Sequence, residues 1–262
     1  MAPHQPLSLA YAVSGLAVGI LVGLTGVGGG SLMTPLLVLL FRFHPATAIG
    51  TDLLYAATTK TVGTLVHGLI GTVEWRLVGL LAAGSMPGTL LTLWALSRLG
   101  PPTQSTGHLL SVLLGVALLL TAGSLILRGT LIRWAGRLNL NPSEHRRTIL
   151  TVVLGLYLGV FVTLSSVGAG AIGVTALILL YPSLPTQRVV GSDIAHAVPL
   201  TLVAGIGHWL IGSVDWHLFL SLVTGSVPGV VIGSLIGSRV SERVLRPILA
   251  TILLVVGFRL LA

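Results

Sequence analysis

The second half of this chain repeats the first at an offset of 140 to 141 residues. "TGVGGGS" at 25–31 matches "SSVGAGA" at 165–171, and Pro45 matches Pro185. "GTD" at 50–52 matches "GSD" at 191–193, and "HGLIGTVEW" at 67–75 matches "HWLIGSVDW" at 208–216. "GSMPG" at 84–88 matches "GSVPG" at 225–229, and "LSR" at 96–98 matches "GSR" at 237–239. Matches of this number in one register are the mark of a duplicated unit. Whatever the first half folds into, the second must fold into as well.

The solvent of that unit is lipid. Of 262 residues, 53% are hydrophobic and 8% charged, against about 25% charged in an ordinary soluble domain. Mean hydropathy is +1.01. The formal charge of +8 is not a nucleic-acid signal, because 13 of the 14 basic residues are arginines scattered at segment ends. There is no cysteine, which rules out a disulfide or a thiolate metal site, and no cofactor motif is visible. The opening "MAPHQPLSLAYAVSG" has no basic n-region, so its helix is expected to be retained.

Each half gives the same series of apolar blocks. The first reads Ser8–Leu24, a glycine-rich break, Ser31–Phe41, Ala46–Ile70, Trp75–Leu96 and Gly107–Leu127. The second reads Ile149–Leu164, a break, Gly170–Tyr181, Gln187–Ile211, Trp216–Ile236 and Val244–Leu261. If the arms around each break form one kinked crossing, the halves are parallel. If the chain turns back at the break, the arms form a hairpin and the halves are inverted.

The arginines choose between these, since cytoplasmic loops are enriched in Lys and Arg. The parallel arrangement divides the arginines seven against six. The hairpin arrangement puts ten on one side (Arg76, Arg128, Arg133, Arg137, Arg146, Arg147, Arg188, Arg239, Arg243 and Arg246) and leaves three, Arg42, Arg98 and Arg259. Length agrees, because residues 8–41 as one helix would span roughly 50 Å against a bilayer core of about 30 Å. The expected fold is an all-α polytopic membrane protein of two inverted structural repeats, each a Gly-broken helical hairpin plus three transmembrane helices. Residues 1–130 form the first repeat, 131–147 a cytoplasmic linker and 148–262 the second repeat. Placed in a bacterial inner membrane, the central loop is cytoplasmic and both termini lie outside.

Non-helical backbone at membrane depth survives only where protein or a polar cavity satisfies it. Inverted repeats with interrupted helices are a transporter signature, the substrate sitting where the broken elements meet. The short arms begin at Ser31 and Ala171, and their N-termini would offer N–H groups and partial positive charge to an anion. Candidate substrate-binding residues are therefore Thr25, Gly28, Gly29, Gly30 and Ser31 in the first break, and Ser165, Ser166, Gly168 and Gly170 in the second. Thr34 adds a further hydroxyl. The plain alternative is that these glycines only permit a tight turn.

Lys60, the single lysine, lies near the middle of Ala46–Ile70. A charge at that depth is costly and usually functional. It either neutralises an anion or pairs with Asp52 or Asp193. His196 is a deep candidate for binding and proton transfer, given that histidine titrates near neutral pH. His67 and His208 stand near helix ends, where capping would also explain them. Asp52 and Asp193 follow Gly-Thr and Gly-Ser near a helix start and are expected to tie down that first turn. Gly225, Gly229, Gly233 and Gly237, at spacing four, permit close helix contact within the chain or in a homodimer.

The stretches "GLTGVGGGSLMTPLL" and "GTDLLYAATTKTVGTLVHGLIGTVEW", with the repeated GS-x-PG, resemble the TauE/SafE family of sulfite exporter-like membrane proteins. The resemblance covers about residues 8–262. It implies duplicated halves and the movement of small sulfur-containing anions: sulfite, sulfoacetate, other organosulfonates, sometimes thiosulfate. It places Gly26–Ser31, Thr51, Asp52 and Lys60 in the transport core, together with Ser165–Gly170, Ser192, Asp193 and His196. Alanine stands in the second break where the first has Gly29.

The expected function is a secondary transporter exporting such an anion, with protons as a coupling partner and no enzymatic activity. An anion channel or uptake permease is the alternative. An intramembrane hydrolase built on Ser165 or Ser166 is disfavoured, because the duplicated break puts hydroxyls in both halves and no nucleophile motif stands out.

Overall fold

The computed structural model describes residues 8–25, 30–69, 71–99, 104–137, 143–237 and 242–261. These form ten helices: α1 (Leu9–Thr25), α2 (Gly30–Leu39), α3 (Pro45–Leu69), α4 (Trp75–Arg98), α5 (Gln104–Arg137), α6 (Glu144–Ser165), α7 (Ala171–Leu180), α8 (Thr186–Leu210), α9 (Trp216–Gly237) and α10 (Glu242–Leu261). Among the described residues no strand occurs. Five helices (α4, α5, α6, α8 and α9) contain stretches long and apolar enough to cross a membrane. Outward-facing leucines and tryptophans such as Leu90, Leu91, Trp94 and Leu235 are more than half exposed, as lipid-facing side chains are.

The sequence blocks match these helices closely, with one larger difference. α5 continues as far as Arg137, through residues 131–137 of what reads as linker. Its second half holds only isolated glycines, Gly123, Gly129 and Gly136, and one glycine costs a helix only about 1 kcal/mol.

In both halves the chain turns back at the break. Near the start of α6, the Thr151 hydroxyl lies 2.9 Å from the Tyr181 hydroxyl just beyond the end of α7. At the corresponding place in the first half, Tyr11 of α1 meets Phe41 edge-on, ring centroids 4.9 Å apart. Each pair joins the start of the entering arm to the end of the returning arm, so both arm pairs are hairpins. The second turn is visible in full. Ser166 stands at φ 57° and Gly168 at φ 108°, left-handed backbone that glycine adopts freely and serine does not. The first turn, Gly26–Gly29, lies outside the described residues.

Packing between the halves recurs with the partners exchanged. α1 packs on α9, and α6, its counterpart, packs on α4. Both contacts run parallel. Gly225, Gly229 and Gly233 of α9 face Ala12, Leu16 and Ile20 of α1, while Gly84 and Gly88 of α4 face Val152 and Leu156 of α6. At each of these glycines an added Cβ would overlap the facing backbone. The ridge on α9 therefore serves internal packing. Gly237 lies outside the glycines whose surroundings are described.

Two further contacts join a helix to its own counterpart, and both are antiparallel. In α3 and α8, Gly63 lies 3.5 Å from Ile194 at one end of the seam and Gly205 lies 2.6 Å from Leu54 towards the other, each measured from an added Cβ. In α5 and α10, Gly115 meets Leu261 and Gly257 meets Leu119, each at 3.0 Å.

Hydroxyls tie the halves together as an equivalent pair. Ser192 of α8 accepts from the Glu74 backbone N–H at 2.8 Å, and Thr51 of α3 accepts from that of Asp215 at 3.1 Å. Replacing Gly225 or Gly84 with leucine is expected to destabilise the folded protein by about 3 kcal/mol or more through overpacking. Gly79→Leu, with nothing within 4 Å of an added Cβ, should leave thermal unfolding in detergent near the wild-type midpoint.

Candidate functional site

The α3–α8 seam carries three buried charges. Lys60, Asp52 and Asp193 are each less than a tenth exposed. Asp193 attracts Lys60 most strongly and Asp52 less so. Asp52 stands eight residues back along α3 from Lys60, about 12 Å at the helical rise. Among the described residues, no carboxylate oxygen lies within 4.0 Å of Lys60. The lysine is therefore near an opposite charge without being closed into an ion pair.

The two aspartates do not tie down a first turn, as the sequence suggests they should. α3 begins at Pro45 and α8 at Thr186, which places both carboxylates two turns inside their helices. The neighbouring hydroxyls, Thr51 and Ser192, hold backbone instead, and it belongs to the opposite half. Asp52 reaches across to the first hairpin, where the Thr34 hydroxyl of α2 donates to it. Ser166, at the tip of the second hairpin, also approaches Asp52. No hydrogen bond of good geometry closes there, for the Ser166 hydroxyl and Asp52 Oδ1 are both buried and unpartnered. Asp193 rests on α7, its Oδ1 against the Gly173 backbone with no hydrogen-bond partner. Any side chain at position 173 would displace it. An element of each hairpin thus touches an aspartate: α2 and the second tip at Asp52, α7 at Asp193.

The second break is more self-satisfied than an open anion cradle would be. The Ser165 hydroxyl donates to the Phe161 carbonyl at 2.7 Å and accepts from the Val167 N–H at 3.2 Å. The N–H groups of Ile172 and Gly173 donate to the Gly168 carbonyl at 3.2 and 3.4 Å, and that of Val174 to Gly170 at 3.4 Å. The left-handed backbone at Gly168 curls its carbonyl back over the helix start. The positive end of α7 remains, and these long contacts are weak, but Ser165 is occupied as a turn cap. Ser166 is the hydroxyl left facing the seam.

His196 is fully buried on α8, its Nε2 lying 2.9 Å from the Ser85 hydroxyl of α4. Tyr55, the counterpart of His196, faces Ser226, the counterpart of Ser85. His208 has its Nε2 3.0 Å from the Thr163 carbonyl. A carbonyl only accepts, so Nε2 carries the hydrogen. Nδ1 is unpartnered in both histidines. His208 is held in place at the end of α8, whereas His196 lies within the electrostatic reach of Lys60. Gly28 and Gly29 lie outside the described residues, as do the side chains of Thr25, Ser31 and His67; Gly30 opens α2. Among the described residues no group of three metal-ligating side chains occurs.

A cavity of about 730 Å³ opens beside this core between α4, α5 and α6. Its lining is largely apolar, with Thr92, Ser97, Thr106, Ser213 and His208 as the polar members, and it does not include Lys60 or either aspartate. A smaller one of about 290 Å³ lies near the start of α4 and α6. There Arg76 pairs with Glu144 at 2.8 Å, Arg188 pairs with Glu74 at 3.4 Å, and Arg147 stacks 5.3 Å from the Tyr181 ring. Sequence reasoning missed the two ion pairs because their partners are more than 60 residues apart and belong to different halves.

The family described as Sulfite exporter TauE/SafE matches residues 11–260. The chain belongs to that family. It is 41% identical to the probable membrane transporter protein YjnA of Bacillus subtilis over 85% of this chain and 87% of that one. Identity is 27% to the probable membrane transporter protein YdhB of the same organism, covering 80% and 82%. It is also 27% to a probable membrane transporter protein of Xylella fastidiosa, covering 82% and 78%. No solved structure matches. The protein is thus a multi-pass membrane transporter of the TauE/SafE family.

Thr34→Val removes the donor to Asp52 and is expected to destabilise by about 1–3 kcal/mol, the usual cost of a buried polar group left unsatisfied. Thr61→Val, whose hydroxyl bonds only its own helix at Ala57, should stay within about 0.5 kcal/mol. Thermal unfolding of the two purified variants side by side makes the comparison.

Proposed function

We propose that this protein is a secondary transporter that moves small sulfur-containing anions (sulfite, sulfoacetate or other organosulfonates) across the bacterial inner membrane. The movement proceeds by alternating access between two inverted repeats, with export as its physiological direction. One observation carries the substrate reading: the chain's single lysine stands buried on α3, near Asp193 but with no carboxylate within 4.0 Å among the described residues. An ammonium held out of lipid without a closed ion pair is positioned to receive a small oxyanion. The family's description as sulfite exporters supports the class of anion and the direction.

Inversion is supported by the directions of the paired helices. A two-fold axis along the membrane normal would leave α3 and α8 parallel. Their antiparallel contact, and that of α5 with α10, fits an axis in the membrane plane. In this orientation the arginine-rich face, with Arg76, Arg147 and Arg188, is cytoplasmic and both termini lie outside. The tight parallel pairs α1–α9 and α4–α6 suit units that shift as bodies. Three deep charges and a hairpin turn at the α3–α8 seam suit the place they shift around.

Sulfite or sulfoacetate should raise the thermal midpoint of detergent-purified wild-type protein. Lys60→Ala should lose that ligand-dependent rise, judged against its own ligand-free midpoint, and Lys60→Arg should keep part of it. An undiminished rise in Lys60→Ala contradicts the site. In proteoliposomes, preloaded substrate should accelerate uptake of labelled substrate several-fold; equal rates with and without preloading would indicate a channel.

A further inference from the structure

The charges around Lys60 do not balance once an anion is added. From α3, the titratable or charged groups facing this region are Asp52, Tyr55 and Lys60; from α8 they are Asp193 and His196. Among the described residues, the other elements packed here bring uncharged groups: Thr34 from α2, Ser85 from α4, Gly173 from α7 and Ser166 from the second hairpin tip. His208 lies towards the far end of α8 and is bonded to Thr163. One cation thus faces two carboxylates.

The two carboxylates are differently furnished. Asp52 receives the Thr34 hydroxyl and has Ser166 beside it, so protein donors stand at this carboxylate. Asp193 has its Oδ1 against the Gly173 backbone, and that oxygen has no hydrogen-bond partner among the described residues. It also exerts the stronger pull on Lys60. In the empty protein, Lys60 and Asp193 compensate each other. An anion arriving at Lys60 takes that compensation away and leaves the Asp193 charge buried without a partner, which is the costly way to break a buried pair.

We propose that Asp193 takes up one proton when an anion binds at Lys60, so that anion and proton bind cooperatively and cross together rather than in exchange. The proton comes from solution on the side of anion entry, resides on the Asp193 carboxyl during the crossing, and leaves with the anion on the other side. Lys60 remains an ammonium throughout and no covalent bond to the substrate forms. Because binding linkage is reciprocal, protonation of Asp193 tightens anion binding by the same factor that the anion tightens protonation. Direction then follows the combined anion and proton gradients, and an anion accumulated inside leaves down its own. This inference rests on the anion-transport reading above.

The test uses the full-length protein in detergent with sulfoacetate as probe. Its sulfonate stays ionised and its carboxyl titrates near the ordinary value of about 4, so its charge is constant from about pH 6 to about pH 8.5. Affinity is expected to fall as pH rises, approaching tenfold per pH unit for one linked proton. Adding sulfoacetate in weak buffer should take up close to one proton per anion bound. Asp193→Asn, which keeps shape and removes the titration, should bind with no pH dependence and no proton uptake. If wild-type binding is lost in Lys60→Ala yet is independent of pH and takes up no proton, the anion site stands and this inference falls. If the wild type binds neither sulfoacetate nor sulfite at any pH, the transport reading itself falls and carries the inference with it. Should Asp193→Asn fail to fold, wild-type proton uptake decides alone.

Discussion

A bilayer offers no water to a broken helix, and that constraint shapes this molecule more than any single contact. Every unpaired N–H and C=O at membrane depth must find a partner inside the protein. The chain breaks two helices, once per half, so both breaks must be enclosed. The second solves this locally: the Gly168 carbonyl collects N–H groups from the start of α7, and Ser165 caps the turn. Enclosure then needs walls, which the remaining helices supply. Once enclosed, the turn can present Ser166 to Asp52 at no exposure to lipid.

Walls that tight require small residues. In hydrocarbon, helices gain nothing by hiding apolar surface from lipid that is equally apolar; they associate through close packing and hydrogen bonds. The glycine ridges of α4, α6, α1 and α9 provide the first. The Thr51–Asp215 and Ser192–Glu74 bonds provide the second, each tying a helix of one half to a loop of the other. Two rigid parallel pairs thereby flank a seam of α3 and α8 that is held by polar contacts and carries charge. The division of labour between stiff apolar pairs and a polar seam is what a substrate pathway through lipid demands.

Much of this was legible in the sequence, for identifiable reasons. The duplication is visible because the same packing problems recur at equivalent positions: Gly84 and Gly225 face equivalent neighbours, as do Ser85 and Ser226. The hairpins are legible because residues 8–41 are too long for one crossing and the arginines divide unevenly only if the chain turns back. Lys60 stands out because a lone intramembrane charge has few explanations. What stayed hidden depended on contacts distant in sequence. Nothing local to "GTD" says that its threonine holds the loop of the other half, or that its aspartate reaches α2. The spacing of Gly225, Gly229 and Gly233 announces a close partner without naming α1. The length of α5 was obscured by its arginines, which read as a loop although helix continues beneath them to Arg137.

The proposal that the two halves are oppositely oriented underlies the topology, the substrate pathway and the placing of the termini. Since the chain has no cysteine, single cysteines report on it cleanly. Val73 and Val214 occupy equivalent positions in the α3–α4 and α8–α9 loops, and both are half-buried rather than enclosed. A membrane-impermeant thiol reagent, applied to right-side-out and to inside-out vesicles carrying Val73→Cys or Val214→Cys, measures their sidedness. Inverted halves put them on opposite faces, Val73→Cys reacting only in inside-out vesicles and Val214→Cys only in right-side-out ones. Labelling of both from the same face would contradict inversion and, with it, the seam as a pathway between two oppositely facing hairpins.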